Sequence, residues 1–284
     1  NAPMPFAEFA GLLDAHSLRY VGEAGPRAAV AELEDAWGLT PEGMAGRWLD
    51  AEIALDAALA TRFRRALIAR EDAPCAQPPR AESLRGLAFY ADLRSDEEID
   101  LETPGEQLFI NPAGNTFPFA QPAMKAAAMI LSIRYPGALD FAALLVAARQ
   151  LLAEQGSSAD VDEAAFAEDL FLLGVVHGVM PTVWPGPVAS EPGERPAAHA
   201  LARLQASSPG WVVSGARHAA MDIDPAGRTL LAELDGSRTF DELAALMQAE
   251  LAKSGLDLPL EQIRELTVQQ IWLFARQGIL LANR

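Results

Sequence analysis

Four histidines, one cysteine, an acidic run and a few loop glycines are the residues of this 284-residue chain whose chemistry goes beyond packing. A metal-binding helix face needs a second His, Cys or carboxylate three or four positions from the first, so that both ligands project from one side. His16, His177, His199 and His218 have no such neighbour on a helix. His177 stands before a helix stop, where the helix C-terminus favours a cation, and reads as structural. Cys75 sits in Ala-Pro-Cys-Ala-Gln-Pro-Pro with no His or cation beside it to stabilise a thiolate, so it reads as an inert loop thiol. The run Asp96–Glu102 (DEEIDLE) is dense in carboxylates but lacks the glycine and closing glutamate of an EF-hand loop; it reads as a solvated face. Ser207-Ser208-Pro209-Gly210 reads as a turn and not a nucleophile elbow. A methyl-donor or nucleotide site requires clustered glycines between a strand and a helix, so that backbone amides can approach the ligand. Gly210, Gly215 and Gly227 fall in separate elements. No catalytic, cofactor-binding or metal-binding residue is assigned, and no cofactor is expected.

The elements around these residues are mainly helical. Ala and Leu supply much of the 50% hydrophobic content, and both are strong helix formers. A helix over 5–15 places Phe6, Phe9, Leu12 and Leu13 inward, and Ser17–Gly22 follows as a strand. Helices are expected over 27–36 and 44–60, the second anchored by Trp48, Leu49, Leu55 and Leu59, with Thr40-Pro41 as a loop or helix start. Residues 72–80 are a Pro-rich break. Beyond it come a short helix near 80–85, a strand at Leu87–Leu93, and a small hairpin of Ile99–Glu102 with Gln107–Ile110. Three helices follow, the first starting at Gln121-Pro122. The second is capped by Asp140 and faces inward with Phe141, Leu144, Leu145, Ala148, Leu151 and Leu152. The third is capped by Asp162 and faces inward with Phe166, Leu170, Leu173 and Val176. Val179–Trp184 reads as an edge strand because of Pro181.

Residues 185–196 (PGPVASEPGERP) read as a second linker. After it come a helix over 197–206, strands at Trp211–Ala216 and from Ala220, and a helix capped by Asp224 with Pro225 at its first position. The next helix opens with a capping box from Thr239 to Glu242. The last, over 260–277, buries Ile263, Leu266, Ile271, Leu273 and Phe274, and the strand Ile279–Ala282 closes the chain. The two halves match in order. Asn111-Pro-Ala-Gly aligns with Asp224-Pro-Ala-Gly, Phe141 with Phe240, Leu144 with Leu243, and Gly178 with Gly278. That order suits two winged-helix-like modules in tandem, with both phenylalanines buried and the linker leaving each module able to unfold alone.

The net charge is −17. Residues 1–195 carry 14 Lys and Arg against 29 Asp and Glu, and residues 196–284 carry 8 against 10. Such a body repels phosphate backbones. The third helices, the readers in a DNA-binding winged helix, are acidic at 162–177 and neutral at 260–277. Nucleic acid is therefore excluded as a partner. No apolar run is long enough to span a membrane, the start lacks a basic signal-peptide region, and the single cysteine is consistent with reducing cytoplasm.

Two stretches resemble a known family. Phe6-Ala-Glu-Phe9 through Leu18-Arg-Tyr-Val-Gly-Glu-Ala24, with Arg62-Phe-Arg-Arg-Ala-Leu67, is similar to the regulatory domain that follows the catalytic domain in bacterial S-adenosylmethionine-dependent methyltransferases. Glu194-Arg-Pro196, Ala200-Leu-Ala-Arg203, Arg217-His218 and Leu230–Arg238 resemble the C-terminal winged-helix part of bacterial protein-lysine methyltransferases of that group. The resemblance implies an α+β, mainly α fold: a small mixed α/β N-terminal regulatory domain over 1–75, a middle winged-helix-like domain over 80–188 and a C-terminal one over 196–284. It also implies a non-catalytic role in regulation, substrate-protein recognition or dimer contacts. The partners would be a methyltransferase catalytic domain and its protein substrate. The alternative is a free-standing scaffold of tandem winged-helix modules.

Overall fold

The computed structural model describes residues 4–23, 48–75, 81–157, 159–210, 212–253 and 255–282. The chain forms two compact units, one of residues 1–85 with 162–178, the other of 86–161 with 179–284. The elements expected at 27–36 and Thr40–Gly43, and the side chains of Trp48, Leu55, Leu59 and Trp211, lie outside the described residues.

In the first unit, α1 (Phe6–Ala15) buries Phe6, Ala10 and Leu13. Leu12, expected inward, is exposed, because one position in a helix is a rotation of about 100° away from Leu13. Strand β1 (Leu18–Glu23) runs antiparallel to β2 (Ala66–Arg70), with a bulge at Val21. Helix α2 (Trp48–Leu59) lies between them in sequence, and its Leu49, also expected as an anchor, is exposed.

The second unit begins with β3 (Ala88–Tyr90). The hairpin that follows is β4 (Gln107–Ile110) with β5 (Thr116–Phe119), not Ile99–Glu102 with Gln107–Ile110. Asn111 decides this: its Oδ1 accepts the amides of Ala113 and Asn115 at 3.1 and 3.0 Å and closes a turn. Asn111–Gly114 is thus a hairpin turn and not a helix start, so it is not the counterpart of Asp224–Gly227. The stretch paired with β4 in the sequence reading instead wraps a buried lysine. Lys125, 2% exposed, donates to the carbonyl of Asp100 at 3.0 Å. The Asp100 carboxyl, accepting from the Thr103 hydroxyl and the amides of Glu102 and Thr103, is held down at about 2.

Helix α3 (Pro122–Arg134) packs on α4 (Phe141–Glu154). Asp140 caps α4 by accepting the Ala143 amide at 2.8 Å, and short β6 (Leu139–Asp140) joins it to the sheet. Helix α5 (Glu163–Val175) belongs to the first unit and is capped likewise by Asp162. Strand β7 (Met180–Thr182) completes a three-stranded antiparallel sheet of order β6-β3-β7, with Pro181 on an edge strand.

The C-terminal part holds α6 (Ala200–Ser207), the hairpin β8 (Val212–Ser214) and β9 (Ala220–Asp222), then α7 (Pro225–Ala232), α8 (Phe240–Lys253) and α9 (Leu260–Arg276). Its core includes Val213, Leu230, Leu231, Leu243, Met247, Ile271 and Phe274. Thr239 and Glu242 form the capping box, with the Thr239 amide donating to Glu242 Oε2 at 2.7 Å. Leu266 and Leu273, expected inward, are half exposed on α9. The fold is α+β with small sheets.

The correspondence between the halves shifts at its ends. Helices α4 and α8 each have 14 residues and begin with phenylalanine. Phe141 is buried, whereas Phe240 is only half buried against the core. The left-handed residue after α9 is Gly278 at φ +70°, and the one after α5 is His177 at φ +62°, so His177 and not Gly178 occupies the equivalent position.

Residues 185–196 are not a free linker. The Ala189 amide donates to Leu280 O at 3.0 Å, and the Ala282 amide donates to Pro187 O at 2.9 Å. That stretch and the chain's closing segment therefore share a ladder, which couples the modules. Phe141→Ala should cost about 3–5 kcal/mol as a cavity, and half-buried Phe240→Ala about 1–2 kcal/mol. In either variant residues 86–157 and 179–282 should melt in one transition. Calorimetry resolving a separately melting C-terminal module would contradict this coupling.

Candidate functional site

The structure brings none of the sequence-selected reactive residues together. His16, His177 and His218 are exposed at separate chain turns. Ser207 and Ser208 donate their hydroxyls back to the carbonyls of Arg203 and Leu204 at 2.9 and 2.8 Å, a helix-end role. Gly215 serves packing: a Cβ there would lie 2.4 Å from the carbonyl oxygen of Gln277, so only glycine lets the β8–β9 wing approach the end of α9. No group of three or more His, Cys, Asp or Glu among the described residues is placed to hold a metal.

His199 does have a defined task. It is the N-cap of α6, and its Nδ1 accepts the Ala202 amide at 3.2 Å. Burial pushes its pKa below the ordinary 6.5, since a partly buried imidazolium is poorly solvated and would face a helix N-terminus.

Among the described residues a dense charged arrangement surrounds Arg64, which in the sequence stands out only as part of a family-like stretch. Its guanidinium pairs with Glu52 at 2.7 Å and Asp56 at 2.7 Å and donates to the Tyr20 hydroxyl at 2.9 Å. It lies 3.8 Å from the centre of the Phe6 ring, a cation–π contact. Thus one side chain ties α1, β1 and α2 to the approach to β2. Burial alone would lower the Arg64 pKa, but the hydrogen bonds to Asp56 and Glu52 outweigh it and raise the pKa. By contrast, the pair Arg70–Asp72 is largely exposed and contributes about 0–1 kcal/mol. Because Arg64 turns inward, its neighbours turn out: Arg62 and Arg65 are exposed, and Phe63 is 91% exposed.

A second feature lies on the C-terminal part. Helices α7, α8 and α9 enclose a groove of about 420 Å³ with Leu230, Met247 and Ile263 among its lining residues and Leu266 and Leu273 half exposed. Two arginines join this part to the rest of its unit. Arg217 lies 4.3 Å from the Tyr90 ring centre and donates to the carbonyls of Pro136 at 2.8 Å and Pro185 at 2.9 Å. Arg276 pairs with Asp92 at 2.5 Å and donates to Ser132 O at 3.0 Å. Arg217 was visible in the sequence only as part of the family-like Arg217-His218, with no sign of its role.

Residues 1–70 match the family model described as a predicted methyltransferase regulatory domain, and residues 194–270 match that of the PKMT C-terminal winged helix domain. The chain carries both domains. Its fold resembles PKMT2 from Rickettsia typhi, solved in complex with AdoHcy, at TM-score 0.73 and 15% identity over 97% of this chain and 57% of that one. A second structure of Rickettsia typhi PKMT2 gives TM-score 0.72 and 15% identity over 97% of this chain and 58% of that one. The chain thus spans less than two thirds of the solved relative. No curated protein matches it. The Arg64 cluster lies in the regulatory domain, and Arg217 and most of the groove lie in the winged-helix domain. Among the described residues no helix is long and apolar enough to cross a membrane.

Arg64→Met should destabilise the regulatory domain by about 3–5 kcal/mol, because it removes the cation paired with the buried Glu52 carboxylate, which is 2% exposed. Pairing it with Glu52→Leu should recover much of the loss in urea unfolding. For His199 the lowered folded pKa means stability is complete above about 6.5 and falls as pH drops through that value, where only the unfolded chain takes up the proton. His199→Asn keeps a capping acceptor without titrating, so its melting temperature should change less than that of the parent between pH 7.5 and 5.5.

Proposed function

We propose that the chain is a non-catalytic regulatory or substrate-recognition region of a bacterial S-adenosylmethionine-dependent protein methyltransferase. It acts in the cytoplasm on a catalytic domain and that domain's protein substrate. It is organised as a regulatory segment at 1–75 and winged-helix-like segments at 80–188 and 196–284. The observation that carries this reading is the presence on one chain of a methyltransferase regulatory domain and a PKMT winged helix domain. The fold overlap with just over half of PKMT2 supports it.

The chemistry agrees. The sequence has no glycine-rich donor loop, and Gly215 is committed to close packing. His199 is committed to a helix cap. The exposed features are an aromatic–basic turn and an apolar groove, which suit contact with protein. A net charge of −17 suits protein partners better than nucleic acid.

The purified chain should give no heat of binding with S-adenosylmethionine or AdoHcy in calorimetry and should transfer no labelled methyl group to protein. Saturable binding with Kd in the range of about 1–100 µM would overturn the non-catalytic reading.

A further inference from the structure

The groove among α7, α8 and α9 lies wholly within the second unit, and its shape and charge together restrict what can fill it. Leu230, Met247 and Ile263 form a buried floor, and Leu266 and Leu273 stand half exposed at the rim. Those two leucines are seven residues apart on α9, about 10 Å along the axis, which matches the interval from i to i+7 on a helix laid beside them. Met247 is unbranched and can adjust to the side chains it meets. The charge around the groove is one-sided. All 10 Asp and Glu of residues 196–284 fall within 220–275, against 4 of the 8 Lys and Arg. Those four cations have other tasks. Arg228 donates to Ser208 O at 2.5 Å, Arg238 pairs with Glu233 at 2.9 Å, Lys253 with Glu250 at 2.6 Å and Arg264 with Asp241 at 2.5 Å. None of the four is among the described lining of the groove, whereas Asp224 is. Asp224 is exposed, and it caps α7 through one oxygen, Oδ1, which accepts the Gly227 amide at 2.6 Å. A carboxylate accepts more than one donor, so Asp224 can cap the helix and meet an external cation as well.

We propose that this groove docks a basic amphipathic helix of another protein. Leucine-like side chains at i, i+3 or i+4 and i+7 of that helix pack on Leu266 and Leu273 and reach the floor, and a Lys or Arg beside them pairs with Asp224. The groove's about 420 Å³ is within the range that buries ligand-sized groups, and docking takes two half-exposed leucines out of water. Charge selects among the occupants. An acidic helix would be repelled by the excess of carboxylates on 220–275, and so would an anionic lipid surface or a phosphate backbone. A second copy of this chain laid groove to groove would set the same acidic face against itself. The contact requires no methyl donor and no other domain, so the chain makes it whether or not it serves a methyltransferase.

Fluorescence anisotropy on the full chain tests this with a labelled peptide of about 18 residues, long enough to form a helix. The peptide contains only Leu and Lys, with leucines at i, i+3, i+4 and i+7. It should bind with Kd below about 100 µM. A scrambled peptide of the same composition, and one with Glu in place of Lys, should bind at least about tenfold more weakly. Leu266→Lys and Leu273→Lys, both at half-exposed positions, should leave the melting temperature unchanged and weaken binding more than about tenfold, by putting a cation where a leucine should pack. Leu201→Lys makes the same charge change on the exposed face of α6, away from the groove, and should leave binding within about twofold. Asp224→Asn keeps a capping oxygen and should cost about two- to fivefold. Absence of binding to the Leu-Lys helix, equal binding of the scrambled peptide, or equal loss with Leu201→Lys overturns the proposal, the last two by reducing it to general attraction to an acidic protein. A parent chain that sedimentation velocity finds dimeric, and that Leu266→Lys makes monomeric, also overturns it, since a second copy would then cover the groove.

Discussion

A helix end leaves carbonyls with no amide ahead of them, and when that end is half buried the missing donors must come from elsewhere. The C-terminus of α3 is such an end. The chain turns sharply at Tyr135-Pro136, and proline has no amide to offer. The donors come from far along the sequence. Arg276 bonds the carbonyl of Ser132, and Arg217 bonds that of Pro136. Both are cations, which the negative end of a helix favours, and both lie against tyrosine rings. The middle segment's helix is therefore finished by the C-terminal segment. The ladder between 187–189 and 280–282 repeats the dependence in backbone form. These contacts lie within the compact unit formed by residues 86–161 and 179–284.

The first unit solves a different problem with the same residue type. The apolar cluster around α1 and β1 is small, made of Phe6, Leu13 and Tyr20 with Phe9, Leu18, Ile53 and Ala66 against it. Arg64 supplements that core by joining charge pairing and aromatic contact in one side chain. A planar guanidinium with five donors can serve two carboxylates, a hydroxyl and a ring face together, which a lysine cannot. The arrangement suits a domain that must hold its shape while presenting a surface, since the inward turn of Arg64 is also what leaves Phe63 outside.

The acidic composition takes on a more specific meaning in this setting. Several carboxylates are committed locally: Asp140, Asp162 and Asp224 cap helices, Glu52 and Asp56 hold Arg64, and Asp92 holds Arg276. Arg62 and Arg65, flanking Phe63, are exposed and not among these pairs. A regulatory region that works by contact with other protein surfaces is consistent with such a distribution.

Local rules made much of the helical layout legible in the sequence alone. Asp140, Asp162, Asp224 and the Thr239–Glu242 box cap the helices they were expected to cap, and Pro181 sits on an edge strand, because capping and proline geometry act within a few residues. The family-like stretches were legible as well, and they fall inside the domains that match. What the sequence could not settle was decided by contacts distant along the chain. Asn111 outweighed strand pattern in choosing the hairpin partner, and the fold buried Lys125 beneath Asp100. Leu266 and Leu273 were left half exposed although their spacing suits a core face. Periodicity marks which face of a helix is apolar, but only tertiary packing determines whether anything covers it. The same holds for Arg64, Arg217 and Arg276. As letters they are surface cations; only the fold, by placing unpaired carbonyls and carboxylates within reach, makes them the joints of the structure.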